Sequence, residues 1–127
     1  MVTMKLDGLT AVPKIVFGVG AVDPFQYLAL SENAAAESSA GTTLTGEIVT
    51  DGLERALATP TYVADYIGRL TYTWTAAAVF SVRKIAAFNA AVAGNMLFEH
   101  LTTVAKGVEI GETLTGIVST LFSDESP

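Results

Sequence analysis

Arg69-Leu70-Thr71-Tyr72-Thr73-Trp74-Thr75-Ala76 is the stretch that decides the fold. Leu70, Tyr72, Trp74 and Ala76 share one parity and Arg69, Thr71, Thr73 and Thr75 the other, the pattern of a β-strand with one side in a core. The same alternation returns near the end of the chain, where Leu114, Gly116, Val118, Thr120 and Phe122 interleave with Thr113, Thr115, Ile117, Ser119 and Leu121. Threonine suits such faces because its branched side chain fits a pleated surface. Between these two stretches, Val79 to Phe88 and Asn95 to Leu101 read as strands flanking a loop from Asn89 to Ala93, either hairpin partners or a crossing between sheets. Gly107 and Gly111 bracket a short loop around Glu109 and Ile110. Strand signals at this spacing predict an all-β fold, an antiparallel β-sandwich of jelly-roll-like form.

The first half is less regular. Phe25 to Leu30 follows the Asp23-Pro24 turn signal and, being nearly apolar on both sides, predicts a central strand. From Ser31 to Thr43 the composition shifts to Ala, Ser, Glu, Gly and Thr. That segment is a short helix through Glu32 to Ser38 or a surface loop, and its position between strands favours an exposed excursion. Leu44 to Val49 and Gly52 to Leu57 are the least defined elements: Thr45 to Thr50 is read as a strand ending at the turn dipeptide Asp51-Gly52, and Arg55 to Thr61 as one that reaches a sheet edge at Pro60. Residues 1–14 are expected to form an arm with weak commitment to the core, Ile15 to Phe17 a short strand, and Ser123 to Pro127 a frayed acidic tail. No long 3.6-residue periodicity and no internal repeat stands out.

A chain of 127 residues is long enough to bury one core, so residues 1–127 are read as a single domain. Thirteen acidic against seven basic side chains give a net charge of -6, and with no polybasic run the chain is expected to bind no nucleic acid. Cysteine is absent, which removes disulfides and thiolate chemistry together. Half the residues are apolar, mean hydropathy is +0.46 and only 16% are charged, against about 25% in ordinary soluble domains. A membrane is not expected to cover that surface, because the richest stretches, Ala76 to Val82 and Ile85 to Phe98, are short or interrupted by Ser81, Arg83, Lys84, Asn89, Gly94 and Asn95. The N-terminal residues lack the layout of a secretory signal. Burial between subunits is the remaining reading, and it makes the chain a homo-oligomer or part of a larger assembly.

Residues with chemical potential are few. His100 is the single histidine, and Glu99 beside it falls on the opposite face of a strand, so no metal site is assigned. Glu32, Glu37, Glu47 and Asp51 are read as solvated loop acids rather than an acid–base pair. Gly18-Val19-Gly20 lacks the third glycine of a dinucleotide fingerprint, with Asp23 in its place, and is read as turn glycine. Trp74 and Tyr72 are assigned to the core rather than to ligand stacking. Arg83-Lys84, the one adjacent basic pair, is read as a solvated rim charge or a partner for an acidic loop of another subunit. No catalytic, cofactor-binding or metal residue is therefore assigned, no cofactor is expected, and the chain is read as a non-enzyme. The interface candidates are Leu6, Leu9 and Val12 of the arm together with Tyr62, Tyr66, Arg83 and Lys84.

Taken in order, several strings resemble one group of proteins. Phe25-Gln26-Tyr27-Leu28-Ala29-Leu30, an Ala/Thr-rich loop, Leu44-Thr45-Gly46-Glu47-Ile48 and Gly52-Leu53-Glu54-Arg55-Ala56 are followed by Leu70-Thr71-Tyr72-Thr73-Trp74-Thr75-Ala76. Ala86-Ala87-Phe88-Asn89-Ala90, Gly94-Asn95-Met96-Leu97 and Gly111-Glu112-Thr113-Leu114-Thr115 complete the series. The series is similar to small β-sandwich virion proteins of tailed phages and related archaeal viruses, decoration, turret or tail-fibre-like. Ser31-Glu32 and Ile85-Ala86-Ala87 depart from that pattern, which has a Gly-rich strand end and a Glu-x-Gly pair there. The resemblance implies a non-enzymatic virion component assembled in the host cytoplasm, with the major capsid protein or another virion protein as partner. A capsid decoration, cement or turret protein is the first expectation, and a neck, tail or fibre component the second. A carbohydrate- or receptor-binding sandwich is the alternative of another class, and would carry exposed aromatics on its loops.

Overall fold

The computed structural model describes residues 2–4, 6–39, 42–64 and 67–121. Two antiparallel sheets face each other, so the chain is an all-β sandwich with one short helix. The elements in chain order are β1 (Val2–Met4), α1 (Leu6–Phe17), β2 (Tyr27–Ser31), β3 (Ala56–Leu57), β4 (Thr59–Ala64), β5 (Ile67–Thr75), β6 (Phe80–Phe88), β7 (Met96–Val108) and β8 (Thr113–Leu121). Five strands form one sheet in the order β1-β7-β6-β2-β3, and three form the other in the order β4-β5-β8.

Strand parity sets the core. Leu28 and Leu30 of β2, Trp74 of β5, Ala87 of β6 and Phe98 of β7 meet between the sheets, with Leu70, Tyr72, Leu114 and Val118 packed against them. The alternation in 69–76 and 113–120 therefore points inward as the sequence predicts. Trp74 is buried, meets Tyr72 edge-on at 5.0 Å and donates its indole N–H to the Glu54 carbonyl at 2.9 Å. The opposite face of the five-stranded sheet is covered too. Ala29, Ala86, Phe88 and Met96 form a second buried cluster with Leu44, which is why β2 is apolar on both parities.

That second face also carries the polar residues that hold its cover in place. Ser31 Oγ donates to the Thr45 carbonyl at 2.6 Å and accepts from the Asn33 N–H at 3.0 Å. Glu99 accepts from the Ser38 N–H, and Glu37 from the Leu101 N–H. The described part of the 32–43 segment is thus a loop, as its place between strands favours, but it lies against the sheet instead of standing free.

Several expectations are corrected. The N-terminal segment is no loose arm: β1 pairs with Phe98–His100 of β7, and α1 packs on the same strand. Gly8, Ala11, Val12 and Ile15 make the buried side of α1 at helical spacing, and a Cβ on Gly8 would lie only 2.7 Å from the Leu97 carbonyl oxygen. Small residues on that side left little apolar signal, and Pro13, which reads as a terminator, falls on the exposed side of the helix. The helix runs through Ile15–Phe17, where a strand was expected, and ends in a Schellman turn with Gly18 N–H on the Ile15 carbonyl and Val19 N–H on that of Lys14.

Thr45 to Thr50 is not a strand either. The turn at Thr45-Gly46 leaves one bridge, Glu47 to Ser31, while Leu44 and Ile48 go into the core. Strand β7 runs seven residues past Leu101, so Gly107 lies inside it and the turn is confined to 109–112. Arg55 lies outside a strand, and the predicted Arg55 to Thr61 element is split at Ala58 into β3 and β4. Pro60 does sit on an edge strand, β4, and Asp51-Gly52 does form a turn, with φ of 61° and 87°. The expected acidic tail, 123–127, lies outside the described residues.

Candidate interaction surface

The interface candidates do not gather in one place. Leu6 and Leu9 lie in α1, their side chains outside the described set, and Val12 is half-buried on the side of the helix that faces β7. Tyr66 lies outside the described residues. Tyr62 is 72% exposed on β4, a strand exposed along its whole length. Arg83 is half-buried, and its carbonyl accepts from the Thr102 hydroxyl at 3.0 Å.

Lys84 is the clear correction. Its side chain is 3% exposed and its Nζ lies 3.4 Å from Glu99 Oε1, so it is a buried partner within the chain and no rim charge. The reason is register. Lys84 pairs across from Ser31 and Leu101, on the face that Glu37, Ser38 and Leu44 lie against, and Glu99 shares that face through its partner Ala86.

Sequence reasoning missed Arg55. Its guanidinium grips Glu47 with two bonds, Nε to Oε2 at 2.9 Å and Nη2 to Oε1 at 2.7 Å. Nη1 reaches the carbonyls of Ala90 at 3.0 Å and Ala93 at 2.8 Å, and the group lies 3.5 Å over the ring of Phe88. A planar five-donor group is the side chain able to hold two loops at once over an aromatic face. In the sequence it stood within the string Gly52-Leu53-Glu54-Arg55-Ala56, with no role attached.

Among the described residues no three His, Cys, Asp or Glu side chains gather as a metal site, and His100 is half-buried in β7. An apolar groove lined by Phe25, Pro60, Leu70, Leu97, Phe98 and Val118 has a volume of about 210 Å3, and two more polar ones, beside Glu47 and Arg55 and beside Asp23 and Tyr27, have about 350 and 420 Å3, within the roughly 300–1,000 Å3 of ligand pockets. Tyr27, Tyr72 and Trp74 are at least half-buried; Tyr62 is exposed, but on a strand. Large apolar side chains nevertheless stand in water. Val16, Phe17 and Val19 crowd the C-terminal end of α1, Tyr62 and Val63 lie on β4, and Ile117 is 60% exposed on β8.

The three-stranded sheet adds open backbone. Among the described residues β4 and β8 each pair only with β5, so both present a free edge. No helix of the described chain is long and apolar enough to cross a membrane. No family model matches the chain, and no curated protein matches it.

Proposed function

We propose that this chain is a non-enzymatic virion structural protein, a capsid decoration, cement or turret component that assembles with copies of itself. In this reading the jelly-roll-like body sits on neighbouring subunits and on the shell. The observation that supports it is the three-stranded sheet, which among the described residues ends in open strands on both sides and exposes Tyr62, Val63 and Ile117. Large apolar groups beside unsatisfied strand edges are what a subunit presents before assembly. The order of strand and turn motifs, similar to small virion proteins, gives the reading its biological setting. A subunit that binds only the assembled shell stabilises it by mass action.

Light scattering on the purified protein over a range of concentrations tests the assembly part. A discrete closed oligomer is expected; a monomer at every concentration would remove its physical basis. A neck, tail or fibre component shares the same body and differs in symmetry. Among the described residues the carbohydrate-binding reading draws support from the exposed aromatics Phe17 and Tyr62, and saccharide binding lost in Phe17→Ala or Tyr62→Ala would favour it.

A further inference from the structure

Among the described residues the three-stranded sheet has two open edges, and they are unlike each other. Strand β4 carries Pro60, which has no N–H to offer a neighbour, and a bulge between Tyr62 and Ala64 that breaks its register. Both are devices that keep an edge from pairing. Strand β8 has neither. It runs nine residues, Thr113-Leu114-Thr115-Gly116-Ile117-Val118-Ser119-Thr120-Leu121, without proline or charge, and its pairing to β5 is unbroken from Thr113–Thr75 to Leu121–Ile67. A long, regular, neutral edge is the form that adds another strand.

We infer that β8 pairs antiparallel with β8 of a second copy of this chain, joining two three-stranded sheets into one of six. The inference rests on the self-association in the reading above, and makes no use of the virion setting. Charge leaves this edge open to a second copy. Two copies at -6 each repel over most of their surface, whereas a seam along β8 brings no charged side chain of either strand opposite another. The protected β4 edge is a poor match for β8, so the contact is isologous and closes as a dimer.

Full overlap fixes the register. A two-fold axis at Ile117 sets it opposite Ile117 of the second copy, Thr115 opposite Ser119, and Gly116 opposite Val118. On the outer face Thr73 already bonds Thr115 at 2.9 Å and Arg69 bonds Ser119 at 3.1 Å. The pairing therefore continues a row Thr73, Thr115, Ser119, Arg69 across the seam. The isoleucines, exposed in the single chain, cover each other at its centre. Nine paired positions supply about eight to ten backbone hydrogen bonds.

The absence of cysteine makes the test direct. Ile117→Cys is expected to cross-link to itself on mild oxidation, since facing Cα atoms in an antiparallel ladder lie about 4.5–5.5 Å apart, within disulfide reach. Thr115→Cys should not cross-link alone but should do so when mixed with Ser119→Cys. Light scattering should give twice the chain mass of 13.2 kDa, or an even multiple, and Ile117→Lys should halve it, with circular dichroism confirming an unchanged fold. An oligomer that Ile117→Lys leaves intact and that Ile117→Cys does not cross-link overturns the β8 seam, and leaves assembly through another face standing. A monomer at every concentration overturns both.

Discussion

Glu99→Gln is expected to destabilise this protein by stranding the Lys84 ammonium in a site that is 3% exposed. At 3.4 Å and an effective dielectric constant of about 20, the pair attracts by about 5 kcal/mol. Removing one partner of a buried pair costs about 3–5 kcal/mol, because the remaining charge has lost its hydration without compensation. Glutamine keeps an oxygen for the Ser38 N–H and a weak acceptor for Lys84, which places the loss near the lower end. For a chain of 127 residues the unfolding entropy is about 0.27 kcal/mol per degree, so 3–5 kcal/mol lowers Tm by roughly 11–19 °C. The companion variant Lys84→Met/Glu99→Gln removes both charges and should recover to within about 1.5 kcal/mol of the parent, since buried pairs are replaceable by apolar groups. Urea unfolding with a constant slope against denaturant, alongside thermal melts, supplies the comparison. A Glu99→Gln melt within about 3 °C of the parent would refute the reasoning, as would a double variant no more stable than the single one.

Two further substitutions address other parts of the sandwich. Gly116→Val places a Cβ 2.8 Å from the Trp74 ring and 3.0 Å from Ile85 Cδ1, and should cost about 1–3 kcal/mol by overpacking, read as a lower urea midpoint with a changed tryptophan emission. Arg55→Lys keeps the charge but not the fork over Phe88. It should lose about 2–4 kcal/mol and speed amide hydrogen exchange at 89–95, while exchange in β5 and β8 changes only with global stability. Uniformly unchanged exchange at 89–95 would mean that the loop holds itself.

Period-two patterns carried most of the fold. In β5 and β8 each parity has one environment, so Leu70, Tyr72, Trp74, Leu114 and Val118 announced their side directly. The helix was illegible for the opposite reason: its buried side is built from Gly8 and Ala11, whose smallness permits the approach to Leu97 and leaves almost no hydrophobic periodicity to detect. Lys84 misled because its burial depends on a segment some forty residues upstream folding back over the sheet, a tertiary event without local trace. Arg55 was silent on similar grounds, since its partners Glu47 and Ala90–Ala93 lie on either side of it in sequence and meet only in the fold. The neutral edge of β8 was written plainly in 113–121, but a strand shows itself as an edge only once the sheet order is known.

The pairing of β1 with β7 has a consequence for synthesis. Val2 finds its partner in His100, so the first strand and the helix after it have nowhere to dock until β7 has left the ribosome. At about 5–20 residues per second that wait lasts roughly 5–20 s. Strand β5, once made, in turn lacks β8, the last of the described strands to emerge, and until then Tyr72 and Trp74 are without the strand that flanks them. A nascent chain in this state displays unpaired strands and apolar helix residues together, the features that chaperones bind. Yield in a cell is therefore expected to respond to elongation rate and chaperone supply more than to the equilibrium stability of the finished sandwich.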